Sequence, residues 1–170
     1  EDVPIDISRH TSEYALSKLV SESNLRQQYN HGFCNVTILR FGIIYGPRKS
    51  NWSAVESLFN SVKMQAEVNL GSLRTARRFI HVNDVVSGII AILDKRGDGL
   101  EIYNISGDKL ISLKDIVDIS ARLLEKSPKV VELSAENYSI RNPSNFKIKE
   151  KFGWYPKIDI ETGLKTLFHF

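Results

Sequence analysis

Apolar positions in this chain fall into short blocks whose spacing switches between the helical and the extended period. Residues 1–13 are polar and carry neither a helix nor a strand signal. From Ser12, an N-cap candidate, Tyr14, Leu16, Leu19, Val20 and Leu25 recur at helical intervals, and Asn30-His31-Gly32 closes the helix. Cys34 to Leu39 is β-branched and apolar at successive positions, which predicts a strand buried on both faces, as in a parallel sheet, with Cys34 packed at its start. Gly42, Gly46 and Pro47 mark residues 42–48 as a loop. Ser53 caps a predicted helix running to about Gln65, Glu67 to Leu70 reads as a short strand ended by Gly71, and Phe79 to Val82 as another strand. Asn83 or Asp84 caps a helix over Val85–Leu93, which stops before Gly97-Asp98-Gly99. Glu101 to Ile105 alternates as a strand does, and Ser112 with Asp115 at N3 opens a helix over Ile116–Leu124. Lys129 to Leu133 is a weak strand, Lys147 to Phe152 a short helix ended by Gly153, and Asp159 caps a last helix carrying Leu164 and Leu167. Strands alternating with helices at this spacing predict an α/β fold with parallel strands.

Composition narrows the class. With 170 residues and 42% hydrophobic content, the chain has the length of one domain and enough apolar side chains for a core. Its single cysteine excludes an intramolecular disulfide framework and a cysteine-based zinc site. His10, His31, His81 and His169 lack metal-ligand spacing. No apolar run reaches the length of a membrane span, and Glu1-Asp2-Val3-Pro4 is unlike a signal peptide, so a cytoplasmic setting without membrane association is expected. The basic excess lies in two short stretches, 51–78 with Arg74, Arg77 and Arg78, and 141–170. That distribution suits a phosphate-bearing small molecule better than a nucleic-acid duplex, which favours a continuous stripe. The arginines at 74–78 also lack the interleaved aromatics of a single-strand binder.

One pair of residues carries chemistry. Tyr14 and Lys18 are four apart on the first predicted helix, which places both side chains on one face, one turn apart. An ammonium beside a phenol favours the phenolate, and a phenol so tuned exchanges a proton with a substrate hydroxyl or carbonyl. Taken alone, a Tyr-x-x-x-Lys spacing is common on helices. Here it sits in Tyr14-Ala15-Leu16-Ser17-Lys18 with Glu22 following, which resembles the Y-x-x-S-K-x-x-x-E signature of extended short-chain dehydrogenases/reductases, the NAD-dependent epimerase/dehydratase branch. Leu39-Arg40-Phe41-Gly42-Ile43-Ile44-Tyr45-Gly46-Pro47-Arg48 is similar to that family's L-R-x-x-N-V-Y-G-P-R. Arg77-Arg78-Phe79-Ile80-His81-Val82-Asn83-Asp84-Val85 resembles its R-D-F-I-Y-V-D-D-V, and Tyr103-Asn104-Ile105-Ser106-Gly107 its Y-N-I-G-x-G. Lys147 through Lys151-Phe152-Gly153-Trp154-Tyr155-Pro156, then Glu161-Thr162-Gly163-Leu164, resemble its closing motifs.

The resemblance implies the C-terminal part of a Rossmann-type doubly wound parallel sheet plus a small α/β substrate-binding domain. Residues 1–50 would complete the dinucleotide-binding half, 51–170 would mainly form the substrate half, and 79–105 would return to the Rossmann sheet. It also implies an NAD(P)-dependent epimerase, dehydratase or reductase acting on a nucleotide-sugar, with NAD or NADP as cofactor. Tyr14 would be the general acid/base, Lys18 would support the phenolate and hold the nicotinamide ribose, and Phe41 would touch the cofactor. Arg77, Arg141 and Arg48 would hold the substrate, the first two through its phosphates, a task that suits the planar guanidinium fork. Asn104 and Trp154 would be structural, with Trp154 and Pro156 folding the tail onto the core, and His81 a satisfied strand residue.

Departures from the pattern accompany the match. No Gly-rich turn opens a helix, since Gly97 and Gly99 follow one, and Ser8, Thr11 and Ser12 stand too near Tyr14 to replace the family's upstream catalytic hydroxyl. The chain is therefore expected to be the C-terminal half of such an enzyme, with the first half in the parent protein. Ile43 stands in place of an asparagine, Arg78 and Ser144 in place of aspartates, and Asn83 in place of the first of two aspartates. These changes motivate an alternative, a non-catalytic binding or interaction protein on the same scaffold, against which the retained Tyr14 and Lys18 argue. Arg78 is expected to add charge near the phosphates. A homodimer is expected through the first helix (Leu16, Leu19, Val20, Leu25), with Leu58 or Val62 from the next.

Overall fold

The computed structural model describes residues 12–95 and 97–169; the expectations placed on residues 1–11, including Ser8, His10 and Thr11, lie outside them. The order of elements is α1 (Glu13–Asn30), β1 (Val36–Phe41), β2 (Ile43–Tyr45), α2 (Ala54–Met64), β3 (Glu67–Leu70), β4 (Ala76–Arg77), β5 (Phe79–His81), α3 (Val82–Asp94), β6 (Leu100–Ile105), β7 (Ile111–Ser112), α4 (Leu113–Leu124), β8 (Lys129–Glu132), β9 (Ile140–Arg141), α5 (Phe146–Phe152) and α6 (Ile160–Lys165). Parallel pairs dominate: β1 runs with β6 from Val36↔Leu100 to Phe41↔Ile105, β2 with β5, β3 with β8 and β4 with β9, while β4 and β7 are antiparallel. The predicted α/β class with parallel strands is the observed one.

Local chemistry sets the helix starts. Ser53 and Glu56 form a reciprocal capping box on α2, as do Ser112 and Asp115 on α4, and Asp159 accepts the Thr162 N–H at 2.7 Å to open α6. Gly153 ends α5 at φ 66°, a left-handed conformation that costs glycine little. Ser12 stands at the N-cap of α1 but makes no side-chain capping bond. The apolar faces then meet in two cores. One packs Val55, Phe59 and Val62 of α2 against Ile116 and Val117 of α4, Val68 and Leu70 of β3, and Leu164. The other packs Val85 and Ile92 of α3 with Tyr103 and Ile105 of β6, Ile148 and Phe152 of α5, and Trp154.

The tail is pinned by polar contacts as well. The Trp154 indole N–H donates to Ser87 Oγ at 2.9 Å, and its ring lies on Gly88, where a Cβ would approach it to 3.1 Å. The buried Asp84 carboxylate accepts the Lys157 and Ile158 backbone N–H groups at 3.0 and 2.9 Å. Among the described residues, no helix is long and apolar enough to cross a membrane.

The structure corrects several expectations. Residues 43–45 form a strand inside the predicted loop, because β5 offers them a partner. β1 is not buried on both faces: Val36 and Ile38 are covered, but Thr37 and Leu39 line an open hollow of about 570 Å³ with Ile89, Ile92 and Leu93. Cys34 precedes the strand and is exposed. β6 buries four successive residues instead of alternating, since Ile102 packs on Val36 and Ile38 while Tyr103 and Ile105 enter the core on the other side. Leu58 and Val62 are inside the core and cannot supply a dimer face. The two-residue strands β4, β7 and β9 are too short for any periodicity to announce. α3 is capped by neither Asn83 nor Asp84. Its N-cap is His81, whose Nδ1 accepts the Asn83 N–H at 3.3 Å while Nε2 faces Thr166 Oγ1 at 3.3 Å.

His81 is only 1% exposed and edge-on to the Tyr45 ring. Burial pushes the imidazole below its ordinary range, against the pull of Asp84 and Glu56. The folded protein holds the ring neutral where the unfolded chain, with an ordinary value of about 6.5, would take up a proton. The sign is therefore fixed: this contribution is complete above about pH 6.5 and is lost as pH falls below it. Urea unfolding at pH 7.5 and 5.5 should show a lower free energy at the acid value, and His81→Asn, which keeps a capping acceptor but cannot titrate there, should flatten the difference.

Candidate functional site

The site begins where β1 ends. α1 runs antiparallel to β1: Tyr29, near its C-terminus, packs on Val36 and Ile38 at the start of the strand. Further back along α1, Glu22 grips Arg40 with two bonds, Nε to Oε1 at 2.9 Å and Nη2 to Oε2 at 2.7 Å. Tyr14 lies eight residues before Glu22, about 12 Å further along the axis at 1.5 Å per residue. It therefore overhangs the carboxyl end of β1, with Lys18 a turn below. Tyr14 is 72% exposed, and the Lys18 ammonium sits 5.2 Å from the centre of its ring. The structure thus brings the two residues together on a surface that solutes can reach.

Phe41, the last residue of β1, is 46% exposed at the same end. The next residue redirects the chain. A Cβ on Gly42 would lie 2.6 Å from the Arg78 carbonyl oxygen and 3.1 Å from Ser106 Cβ, so only glycine lets β1 hand over to β2 at this point. β1 and β6 thus end side by side at Phe41 and Ile105, while β2 and β5 begin at Ile43 and Phe79 with a new pairing. The carboxyl ends of parallel strands are where open α/β sheets commonly bind ligands.

A basic ribbon follows. In the β4–β9 pair Arg77 and Arg141 are in register, two guanidinium side chains on neighbouring strands. Arg77 donates to the carbonyls of Ala76 and Ser139 at 2.8 and 2.6 Å and to Ser139 Oγ at 2.6 Å. Burial, and then the charge of Arg141, both push Arg77 below its ordinary value. Two like charges held together in this way favour an anion between them. Arg74 stacks its guanidinium 3.8 Å from the Tyr138 ring, an aromatic partner that no local sequence pattern revealed. Arg78 donates through Nε to Asn142, the residue after Arg141, and is thereby tied to the end of β9.

Arg48, expected on the substrate, is engaged inside the fold. Its Nε lies 2.8 Å from Glu56 Oε1, and its Nη2 donates to the Ile44 carbonyl at 3.3 Å. Glu56, 4% exposed, also accepts the Gly46 N–H at 3.1 Å and the Ser53 N–H at 2.9 Å, so one carboxylate ties residues 46–53 to α2. Asn104 donates to the Ser144 carbonyl at 2.8 Å, a structural role. Among the described residues no group of His, Cys, Asp and Glu is arranged to hold a metal ion.

The parallel α/β layout is that of a Rossmann-type fold. The chain belongs to the NAD-dependent epimerase/dehydratase family, whose sequence profile matches residues 1–106. It is 30% identical over 164 residues to a UDP-N-acetyl-alpha-D-glucosaminuronate decarboxylase of Bacillus cytotoxicus, covering 89% of this chain and 50% of that protein. It is 28% identical over 162 residues to a putative UDP-glucose 4-epimerase of Methanocaldococcus jannaschii, covering 92% and 52%. Its fold matches UDP-glucuronic acid 4-epimerase from Bacillus cereus, solved with UDP-glucuronic acid and NAD, at a TM-score of 0.82 and 19% identity, over 99% of this chain and 56% of that one. RMD from Pseudomonas aeruginosa, solved with NADPH, matches at 0.83 and 21%, over 99% and 60%. The chain spans about half the length of the curated relatives it matches.

Replacing Glu56 by Gln leaves a single oxygen for two backbone donors and removes the counter-charge of Arg48. The unfolding free energy is expected to fall by about 1–3 kcal/mol, the cost of leaving a buried backbone donor unsatisfied, measured by urea titration at pH 7.

Proposed function

We propose that this chain carries the proton-transfer and substrate-holding part of an NAD(P)-dependent epimerase, dehydratase or reductase acting on a nucleotide-linked sugar. The observation that carries the reading is the Tyr14–Lys18 pair, adjacent and exposed beyond the carboxyl end of β1. The half-exposed Phe41 beside it and the arginine pair on the β4–β9 ribbon support it, as do relatives named for action on UDP-sugars. The residues present suit the nicotinamide end of a dinucleotide: an ammonium for ribose hydroxyls, an aromatic face, and an exposed phenol. A bound nicotinamide dinucleotide supplies the hydride acceptor and donor.

Tyr14 Oη, as phenolate, takes the proton of a sugar hydroxyl while that carbon becomes a carbonyl, and returns it when the carbonyl is reduced. Lys18 supports the phenolate by charge and holds the ribose. Arg77 and Arg141 grip the diphosphate bidentately and so fix the reacting carbon relative to Tyr14. On this reading residues 1–50 complete the dinucleotide half, 79–105 return to it through the β1–β6 pairing, and the rest of 51–170 holds the sugar nucleotide. The open hollow beside Thr37 and Leu39 is then the face on which the remainder of the nucleotide-binding half packs. Dimerisation through α1 belongs to the same reading and draws on Leu16, Leu19, Val20 and Leu25 without help from α2.

In the full-length protein, Tyr14→Phe should lower kcat by about 10²- to 10⁴-fold with cofactor affinity little changed, measured by steady-state turnover and NADH fluorescence. Near-normal turnover would refute the assignment. Arg77→Gln should raise the KM for the sugar nucleotide by about 10- to 100-fold, the loss of a charged hydrogen bond of roughly 1.5–3 kcal/mol, with a smaller effect on kcat at saturation.

A further inference from the structure

We propose that Glu22 and Arg40 are a positioning pair that sets the height and rotation of Tyr14 and Lys18; the inference rests on the reading of those two residues given above. α1 has 18 residues and buries none of them among the described residues. Among the described residues, Tyr29 packs on the buried cluster of Val36 and Ile38, while Ala15, Leu16 and Leu19 are half-buried nearer Tyr14. Tyr14 lies fifteen residues away from that anchor, about 22 Å along the helix. A tilt of only about 5° about Tyr29 would carry the phenol through roughly 2 Å over that lever, enough to spoil a proton transfer that requires hydrogen-bond contact.

The Glu22–Arg40 contact falls between anchor and phenol. The two side chains are 16% and 26% exposed, so the pair is partly withdrawn from water, unlike an ordinary surface ion pair. Its two parallel bonds use both carboxylate oxygens, which fixes an angle as well as a distance. Arg40 is the residue immediately before Phe41, so the helix is keyed to the end of the strand where the site lies.

The pair also bears on which neighbour Lys18 chooses. Glu22 is one turn after Lys18, and Arg26 one turn after Glu22. Along α1 the charged and titratable groups nearest Glu22 in sequence are Lys18 and Arg26, and Arg40 faces it from β1. With both oxygens of Glu22 on Arg40, the Lys18 ammonium is found over the Tyr14 ring, one turn in the other direction. Tyr14, Lys18, Glu22 and Arg40 thus form one file from the phenol to the strand.

The test uses the full-length enzyme with Glu22→Gln, Arg40→Met, their combination, and Arg40→Lys, each compared at equal folded fraction by circular dichroism. Each single variant should lose about 10- to 100-fold in kcat, the scale of an ångström-level misplacement. The ascending limb of the kcat pH profile should move to higher pH in the Arg40 variants, and the combined variant should be no worse than the poorer single one, since the two residues act as a unit. Arg40→Lys keeps the charge and loses the fork, so it should fold normally and still lose kcat. Full kcat with an unmoved pH limb in Arg40→Met or Arg40→Lys would overturn the proposal, as would losses that multiply in the combined variant. Tyr14→Phe measured alongside separates the two claims. Activity retained there defeats the role of Tyr14 and the positioning pair with it. Activity lost there, with the Arg40 variants intact, defeats the pair alone.

Discussion

Three backbones meet at Gly42, and the arrangement depends on that meeting. Gly42 has room for no Cβ beside the Arg78 carbonyl, and a Cβ on Gly107 would lie 2.1 Å from the Phe79 carbonyl oxygen. These approaches let one extended run, 36–45, serve two partners, first β6 and then β5. Because the exchange happens at the carboxyl ends of the first pair, Phe41 is left half-exposed and the arginine-bearing ribbon begins next door. A side chain at either glycine would force the strands apart and shift Phe41 relative to the arginine-bearing ribbon.

Much of this was legible from spacing and capping chemistry. The Ser53 and Ser112 capping boxes, the Asp159 cap and the Gly153 stop are local, and each is where the sequence pattern placed it. The Tyr14–Lys18 adjacency follows from helix geometry alone. What stayed hidden depends on partners distant in sequence. Ile43-Ile44-Tyr45 looks like a loop until β5 is beside it, and Ile140-Arg141 has no pattern at all before β4 supplies one. His81 as a cap was obscured because Asn83 and Asp84 are stronger cap formers by type; Asp84 was unavailable, being committed to Lys157 and Ile158.

The arginines show the same division. Arg48, Arg77 and Arg141 could be picked out by motif, but not their duties. Arg48 answers a buried glutamate that also closes the α2 capping box, whereas Arg77 is held by carbonyls and a hydroxyl that leave its charge uncompensated. Counter-charge thus distinguishes the two guanidinium groups, and it comes from the surrounding fold.

The register of Arg77 beside Arg141 has a mechanical side. β9 is two residues long and exposed on both, so little apolar burial secures it, and the two cations on the ribbon repel. On the proposed reading, a substrate anion laid across them would reverse the sign of that contribution and clasp the strand. Occupancy and local order must therefore rise together, since whatever ties the ribbon more firmly in the bound form is absent from the empty one. On that reading the ligand would act as a missing stitch in the sheet.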